Sequence, residues 1–183
     1  MKLTQQHIGD LVAKCRDNDQ MAQMEVYQRY YKAMYNASLR IVKDSAEAED
    51  LMQEAFLTAF TKLSSLQNNA HFGSWLKRIV INNSLTALKK KKELQEIDLA
   101  TVAHKIPAMC EETDHKLHAV KAQQLIATMK TLKDSYSTSL SLYLIEGYDY
   151  EEICEIMDIT YANCRTLISR AKESLRKKLI QLS

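Results

Sequence analysis

The residues with the clearest capacity for chemistry are basic and hydrogen-bonding side chains between positions 163 and 172. They are Asn163, Arg165, Thr166, Ser169, Arg170 and Lys172. Arginine and lysine bind phosphate oxygens, and arginine, asparagine, serine and threonine also form hydrogen bonds with base edges in the DNA major groove. At helical spacing these side chains lie on one face of a helix. The pattern therefore predicts a helix that binds DNA.

Two amphipathic helical patterns would position these side chains. The apolar residues of the second pattern are Tyr161, Cys164, Leu167, Ile168, Ala171, Leu175 and Leu179, and those of the first are Tyr150, Ile153, Ile156 and Met157. Asp149 and Glu152 form a capping-box pattern before the first helix. Only residues 158–160 separate the two helices. This arrangement predicts a helix-turn-helix with the polar face of the second helix toward DNA.

Charge is divided unevenly between these two helices. Residues 148–158 contain five acids and no base, whereas residues 165–178 contain six bases and one acid, Glu173. Because the N-terminal part of a recognition helix enters deepest into the major groove, Arg165 and Thr166 are the expected base-edge contacts, and Arg170 and Lys172 the expected phosphate contacts. Two surface helices with solvated polar faces remain the alternative interpretation.

Composition indicates an all-α protein of two small helical domains joined by a flexible linker. The 183 residues include only three glycines and one proline, which disfavours a protein built on tight turns. Periodicity is lost over residues 93–114, so we expect one domain at 1–92, the linker at 93–114 and the second domain at 115–183. The net charge of +2 is small, so binding of nucleic acid would depend on local basic patches.

The sequence contains no pattern typical of an enzyme, a cofactor site or a membrane protein. The sequence shows no glycine-rich phosphate loop, no metal-ligand set and no pairing of nucleophile and base, so no catalytic or metal-binding residues and no cofactor are predicted. Cys110, His115 and His118 could be imagined as metal ligands, but a solvated linker is the simpler interpretation. Four cysteines without a CxxC pair fit a reducing cytoplasm. The N-terminus has no long apolar run, so neither a signal peptide nor membrane insertion is expected.

The cleanest amphipathic pattern in the chain covers residues 45–63. Its apolar face comprises Ala48, Leu51, Met52, Ala55, Phe56, Ala59, Phe60 and Leu63, and Asp44 with Glu47 forms a capping-box pattern at its start. The opposite face carries Asp50, Gln53 and Glu54 with Leu57 among them. An exposed leucine is unremarkable by itself, but an apolar side chain within a polar rim is also typical of a partner-binding patch.

Further patterns lie on either side of this helix and in the second domain. Residues 20–42 contain a stripe of tyrosine and methionine, among them Met24 and Tyr31, which we expect in the core. An aromatic box that binds a ligand is the alternative interpretation of the stripe. Trp75, beside a basic helix that ends in lysines 89–92, could pack in the core or could stack on unpaired bases. The lysines could bind phosphates or simply form a solvated helix end. A helix over residues 135–146 is expected to bury Tyr136, Leu140, Tyr143 and Leu144.

Two segments together resemble a known family. SAEAEDLMQEAFLTAFTKL followed by HFGSWLKRIVINNSLTALKKKK is similar to region two of bacterial sigma factors. LKDSYSTSLSLYLIEGYDYEEICEIMDITYANCRTLISRAKESLRKKL is similar to region four. With only these regions and a short linker, the chain resembles the extracytoplasmic-function group of sigma factors. The resemblance implies a subunit without catalysis of its own that docks on core RNA polymerase, recognises promoters and assists their melting.

The resemblance also implies roles for individual residues. Core-polymerase binding at the β′ clamp would fall on Asp50, Gln53, Glu54 and Leu57, and minus-ten DNA on His71, Trp75, Arg78 and Asn82, next to the loop that begins at Gln67. The minus-thirty-five element would be bound by Asn163, Arg165, Thr166, Ser169, Arg170 and Lys172. The β flap of the polymerase and an anti-sigma factor are further implied partners, and the free protein would be a cytoplasmic monomer.

Two departures from the family pattern bear on these roles. The segment before the region-four core helix lacks the usual proline, and the recognition helix has Leu167 where a basic residue is frequent. Two other interpretations remain. A dimeric helix-turn-helix regulator would explain residues 148–179 but would leave residues 48–92 without a role. An adaptor that binds a polymerase or an inhibitory partner without binding DNA is the third.

Overall fold

The computed structural model describes residues 6–97 and 116–181, and within these residues it contains helices and no strand. The chain separates into two compact units, Met1–Ile97 and Asp98–Ser183. No helix among the described residues combines the length and the apolarity that crossing a membrane requires. The all-α fold expected from the composition is confirmed.

The described residues of the first unit form four α-helices, with short 3-10 turns at Leu63–Ser65 and Asn69–His71. The helices are α1 Ile8–Arg16, α2 Gln20–Val42, α3 Ser45–Thr61 and α4 Phe72–Ile97. Local capping determines where α2 and α3 begin. Asp19 accepts hydrogen bonds from the backbone N–H groups of Met21 and Ala22, and Asp44 accepts one from the N–H of Glu47 over 3.0 Å. Lys43 ends α2 in the left-handed conformation, with φ of 62°.

The last turn of α4 extends into the segment that the sequence assigned to the linker. The helix continues through Ile97, because Glu93-Leu94-Gln95-Glu96 consists of residues with high helix propensity. The rest of that segment lies outside the described residues. The candidate metal ligands Cys110, His115 and His118 likewise lie outside the residues whose side chains the structure describes.

The core of the first unit forms where α2 packs against α3 and α4. Its largest fully buried side chains include Leu11, Val26, Met34, Leu76 and Phe72. Ser38 of α2 and Ser84 of α4 are both fully buried and share a hydrogen bond of 2.9 Å between their hydroxyl groups. This polar pair joins the two helices inside the core, where water cannot reach either hydroxyl.

The expectation that the tyrosine and methionine stripe of α2 lies in the core is wrong for two of its members. Met24 is 55% exposed and Tyr31 is 44% exposed. The other members behave as expected, since Met34 is buried and Tyr27, Tyr30 and Tyr35 pack against the core. Met24 and Tyr31 lie at the edge of the buried face of α2, which is why they remain accessible.

The second unit contains α5 Lys116–Lys130, α6 Asp134–Leu140, α7 Tyr150–Met157 and α8 Tyr161–Gln181. Its core includes a cluster of buried side chains from α5, α6 and α8 together with Leu132 of the intervening turn. These are Met129, Leu132, Leu140, Ala171 and Leu175. At the outer edge Lys178 donates hydrogen bonds to the backbone and side-chain oxygens of Thr131, which joins α8 to the end of α5.

A π-helical turn at Ser141–Ile145 follows α6 directly and changes which side chains are buried. Glu146 donates its N–H to the carbonyl of Ser141, a bond across five residues rather than four. The wider turn rotates the following side chains, so the expected burial of Leu144 is wrong: it is 46% exposed, whereas Leu142 is fully buried. Gly147 then ends the segment with φ of 79°.

Candidate nucleic-acid and partner interfaces

The helix-turn-helix is confirmed, and its two helices begin and end through local hydrogen bonds. Asp149 and Glu152 form a complete capping box, with bonds of 2.8 and 2.9 Å between side chain and backbone in each direction. Asp158 ends α7 with φ of 53°. Thr160 then accepts hydrogen bonds at the start of α8, through its carbonyl from Cys164 and through its hydroxyl from Asn163. Local backbone and side-chain hydrogen bonds thus fix the ends of both helices and the turn between them.

The polar face of α8 is accessible along its first three turns. Asn163, Arg165, Thr166, Ser169 and Arg170 are exposed, while Cys164, Ile168 and Ala171 on the other side are buried. The Thr166 hydroxyl donates a hydrogen bond of 2.9 Å to the carbonyl of Ala162, so its oxygen faces outward as an acceptor. An amino group on a base edge, such as that of adenine or cytosine, is a suitable donor to such an oxygen.

Lys172 differs from the other residues predicted to contact DNA. It is half-buried, and its Nζ lies 4.1 Å from the centre of the Tyr143 ring, in cation–π geometry. The ring fixes the ammonium group near the edge of α8. A phosphate contact from Lys172 would therefore come from a pre-positioned charge rather than a freely rotating one.

Tyr161 is the main departure from the sequence prediction in this unit. The pattern placed it in the apolar stripe, but it is 50% exposed. Its spacing of three from Cys164 matches the stripe, yet it is the first residue of α8 and no preceding helical turn covers its ring. Its position directly after the cap residue Thr160 is the signal that could have indicated this exposure.

One acid lies among the bases of α8. Glu173 forms an ion pair with Lys177 one turn later, with 2.8 Å between Oε1 and Nζ. The hydrogen bond and charge of Lys177 lower the pKa of the Glu173 carboxyl. The acid therefore stays ionised and is offset locally, which leaves Arg165 and Arg170 as the unopposed positive charges of the first turns.

The residues expected at minus-ten DNA lie along one row of the first unit. His71, Trp75, Arg78 and Asn82 follow at intervals of four, three and four residues through the start of α4. His71 and Asn82 are exposed, and Trp75 and Arg78 are half-buried. The Trp75 ring centre lies 6.1 Å from that of Phe72, so part of the indole packs on the core and part faces outward.

The loop before this row is fixed to α1. Arg16 donates a hydrogen bond of 2.6 Å to the carbonyl of Leu66, and Asn69 donates one of 3.2 Å to the carbonyl of Gly9. Asn68 accepts from the N–H of Ala70 and starts the 3-10 turn that ends at His71. These contacts give the polar loop a defined conformation next to Trp75.

The lysine run at the far end of α4 is exposed, and Lys91 within it forms an ion pair. Lys91 donates to Glu47 of α3 over 3.0 Å. This pair joins the start of α3 to α4 and reduces the charge available for phosphates. Lys89 and Lys90 remain exposed beside it.

The outer face of α3 combines acids, an amide and an exposed apolar side chain. Asp50, Gln53 and Glu54 are exposed, and Leu57 is 70% exposed on the same side. The other face of the helix buries Ala48, Met52, Ala55, Phe56 and Ala59. Substitutions on the outer face should therefore alter binding without altering the core.

A groove lies between α2 and the start of α3, along the tyrosine and methionine stripe that we expected in the core. It has a volume of about 480 Å³ and is lined by Tyr27, Tyr31, Tyr35, Ser45, Ala46, Glu49 and Met52. Tyr27 and Tyr31 stack with ring centres 5.8 Å apart, and Tyr27 also packs on Phe56 at 4.8 Å. Tyr27 and Tyr35 thus pack against the core on one side and line a surface groove on the other, and Tyr31 completes the lining.

Two buried thiols have raised pKa values, one in each unit. Burial raises the pKa of Cys15 from 9.0 to about 11, with a smaller contribution from the charge of Asp19. Burial also raises the pKa of Cys164 to about 11, and a hydrogen bond with the Cys154 side chain adds to the effect. Both thiols are neutral at physiological pH and behave as small apolar side chains.

Comparison with known families gives two matches in one chain. Residues 26–93 match the family described as Sigma-70 region 2. Residues 122–175 match the family described as Sigma-70, region 4. The first match includes α3 and the row on α4, and the second includes the helix-turn-helix.

Whole-chain relatives show the same order of regions. The chain is 30% identical over 179 residues to the ECF RNA polymerase sigma factor SigW of Bacillus subtilis, covering 93% of this chain and 96% of that protein. It is 28% identical over 191 residues to the RNA polymerase sigma-H factor of Pseudomonas aeruginosa, covering 97% and 96% of the two chains.

A solved structure has a similar fold. The sigma factor RpoE of Bartonella quintana, crystallised with the anti-sigma factor NepR, matches with a TM-score of 0.63 at 19% identity. The match covers 85% of this chain and 95% of that one. CnrH, solved with the cytosolic domain of CnrY, matches with a TM-score of 0.58 at 17% identity over 97% and 100% of the chains.

Proposed function

This chain belongs to the extracytoplasmic-function (ECF) group of RNA polymerase sigma factors, and we propose that it divides promoter recognition among three surfaces on its two units. As an alternative sigma factor it directs RNA polymerase to promoters. The proposal concerns which residues perform each part of that task.

The outer face of α3 is the proposed docking surface for core polymerase. Leu57 supplies an exposed apolar contact, and Asp50, Gln53 and Glu54 supply a polar and acidic rim. Interfaces commonly combine an apolar centre with a polar rim of this kind. We assign this face to the β′ clamp, and a second contact to the β flap through the C-terminal unit.

The row on α4 is the proposed contact with the minus-ten element during melting. Asn82 and His71 offer exposed hydrogen-bonding groups, and the outward part of the Trp75 indole offers a surface on which a base can stack. Stacking of a base on an aromatic ring contributes about 1–3 kcal/mol. Arg78 and the exposed lysines Lys89 and Lys90 would neutralise phosphates, and such binding weakens with salt.

The exposed face of α8 is the proposed contact with the minus-thirty-five element, and its exposure is the observation that carries the proposal. Arg165 and Thr166 in the first turns supply base contacts, with Asn163 and Ser169 beside them. Arg170 and Lys172 supply phosphate contacts. All six side chains stand on a helix whose opposite face is buried, so they are held in one orientation.

No residue is assigned a catalytic role, and no cofactor or metal is assigned. The free thiols Cys15, Cys154 and Cys164 suit the reducing cytoplasm, where polymerase and promoter DNA are found. Because the similar RpoE of Bartonella quintana was solved with an anti-sigma factor, we extend the proposal to regulation by such a partner. The free protein is proposed to be a monomer, which light scattering after gel filtration can test.

Run-off transcription tests the proposal directly. Purified chain and core polymerase, mixed on fragmented genomic DNA, should produce discrete transcripts that neither component produces alone. The start sites should share two spaced upstream elements. If the same start sites arise with core polymerase alone, the proposed promoter recognition is wrong.

Protection of DNA from cleavage distinguishes the proposed factor from a dimeric regulator. A dimeric helix-turn-helix regulator would protect a palindromic site from cleavage in the absence of core polymerase, whereas the proposed factor should protect promoter DNA only in its presence.

On a promoter with a pre-melted minus-ten element, Asn82→Ala should still reduce stable binding, because the proposed contact is with the unpaired strand. Normal binding of this variant to that template would exclude Asn82 from the contact.

A further inference from the structure

Three aromatic rings and one ammonium group form a continuous stack across the helix-turn-helix. Lys172 lies over Tyr143, and Tyr143 stacks on Tyr150 with ring centres 5.4 Å apart and 24° between their planes. Tyr150 meets Tyr161 edge to face, at 6.0 Å and 70°. The stack begins in the middle of α8, crosses the π turn and the start of α7, and ends at the first residue of α8.

The last ring of the stack is exposed. Tyr161 is 50% accessible although its neighbours along the stripe, Cys164 and Ile168, are fully buried. It precedes Arg165 by one helical turn and Ser169 by two, so the three side chains form one row along α8. A ring fixed by Tyr150 on one side thus continues the row of residues proposed to contact base edges.

The position suits contact with DNA, because the N-terminal residues of a recognition helix lie deepest in the major groove. The chemistry suits one base in particular. Thymine is the only base that presents a methyl group in the major groove, and apolar side-chain surfaces contact it. A tyrosine ring supplies such a surface, and contact with Tyr150 reduces the rotational freedom that the side chain would lose on binding.

We propose that Tyr161 is a specificity-determining residue whose ring contacts a thymine methyl group in the minus-thirty-five element, next to the base pair contacted by Arg165. The inference rests on the proposed role of α8 in binding that element. It adds a residue that the motif did not assign to DNA, and it specifies the base that this residue favours.

The test alters the DNA rather than the protein, by removing the methyl group of thymine. Holoenzyme assembled from core polymerase and the full chain is titrated with promoter DNA in which each upstream thymine is replaced in turn by deoxyuridine. One replacement should weaken binding about fourfold, which corresponds to the roughly 0.8 kcal/mol gained by burying one methyl-sized group. Replacements at the other thymines should have no effect.

Two substitutions complete a double-mutant cycle. Tyr161→Ala should weaken binding to thymine-containing DNA and abolish the effect of the sensitive deoxyuridine replacement, while Tyr161→Phe should retain the effect because the ring remains. Thermal unfolding checks that both variants fold, and the deoxyuridine series on the unaltered protein does not depend on that check.

The outcomes distinguish this inference from the proposal on which it rests. If the holoenzyme binds every upstream sequence no better than a scrambled duplex, both the role of α8 in binding the minus-thirty-five element and the role of Tyr161 are overturned. If the preference is present but no deoxyuridine replacement matters, or the effect persists in Tyr161→Ala, the role of Tyr161 alone is overturned.

Discussion

The ring of Tyr30 lies directly against the backbone of Gly73, so closely that a Cβ added to the glycine would lie 2.8 Å from Cε1 of the ring. The same ring meets Phe72 edge to face at 5.7 Å. Tyr30 thus packs α2 onto the first turn of α4, just before Trp75. A glycine at position 73 is what permits this close approach.

Gly73→Ala should therefore cost about 1 kcal/mol more than the same change at Gly9, because the far end of the Tyr30 ring must shift to admit the added methyl group. Urea unfolding followed by circular dichroism measures the change. Gly9→Ala is the matched control, since its added Cβ would have its nearest contact at 3.4 Å, with the His7 side chain, and should cost little. Equal effects at the two positions would show that the Tyr30 contact is not the cause.

Leu57→Ala should weaken binding to core polymerase without changing stability. Leu57 is 70% exposed, so its truncation removes almost no packing from the free protein. In the docked complex the same truncation would remove apolar area that is buried against the polymerase. Leu94→Ala provides a control in the same unit, because Leu94 is 67% exposed on α4 and is not part of the proposed docking face. Fluorescence titration of labelled protein with core polymerase should give a weaker affinity for the first variant only.

Glu54→Lys should act in the same direction as Leu57→Ala, since it reverses one charge in the rim of the docking surface. Its effect should diminish as salt screens the charge, whereas that of Leu57→Ala should persist. Affinities that match the unaltered protein for both variants would remove the α3 face from the docking model.

Arg165→Ala and Arg170→Ala should have different effects on DNA binding, the first on sequence preference and the second on overall affinity. Loss of a base contact should cost about 1–3 kcal/mol and relax the preference at one position of the minus-thirty-five element. Loss of a phosphate contact should weaken all sequences alike and reduce the salt slope by about one. A library randomised in the upstream element, selected with each holoenzyme at two salt concentrations, separates the two effects. An unchanged sequence preference for Arg165→Ala would contradict its role in base recognition.

The two buried thiols predict a loss of stability at high pH. The folded state holds the pKa of Cys15 and Cys164 near 11, above the 9.0 of an unperturbed thiol, so the unfolded chain loses these protons first. The stabilising contribution is complete below pH 9 and is lost as the pH rises from 9 to 11. Urea unfolding across this range should show a steeper decline for the unaltered protein than for Cys15→Ala or Cys164→Ala. Parallel declines would show that the thiols do not cause it.

The helices of this protein could be predicted from the sequence because their signals are local. Asp149 and Glu152 form the predicted capping box, and α2 begins and ends at the residues where the periodic pattern does. The apolar face of α3 is buried as its spacing indicates, with Asp50, Gln53, Glu54 and Leu57 outside. Caps and periodicity act within a few residues, so they are visible without the fold. The resemblance of the two motifs to sigma regions two and four was visible for the same reason.

What the tertiary structure decided is which apolar side chains remain at the surface. Leu144 is exposed because the π turn rotates the chain, and Met24 and Tyr31 are exposed because they lie at the edge of the face of α2 that packs on the core. Tyr161 matches the buried stripe by spacing, and its exposure has a local cause at the start of α8, but the tertiary structure decided which side chain meets its ring. Its contact with Tyr150 and the cation–π contact of Lys172 with Tyr143 join residues distant in the sequence. Such contacts depend on how helices pack, and the sequence pattern of a single helix carries no information about the neighbour that will cover it.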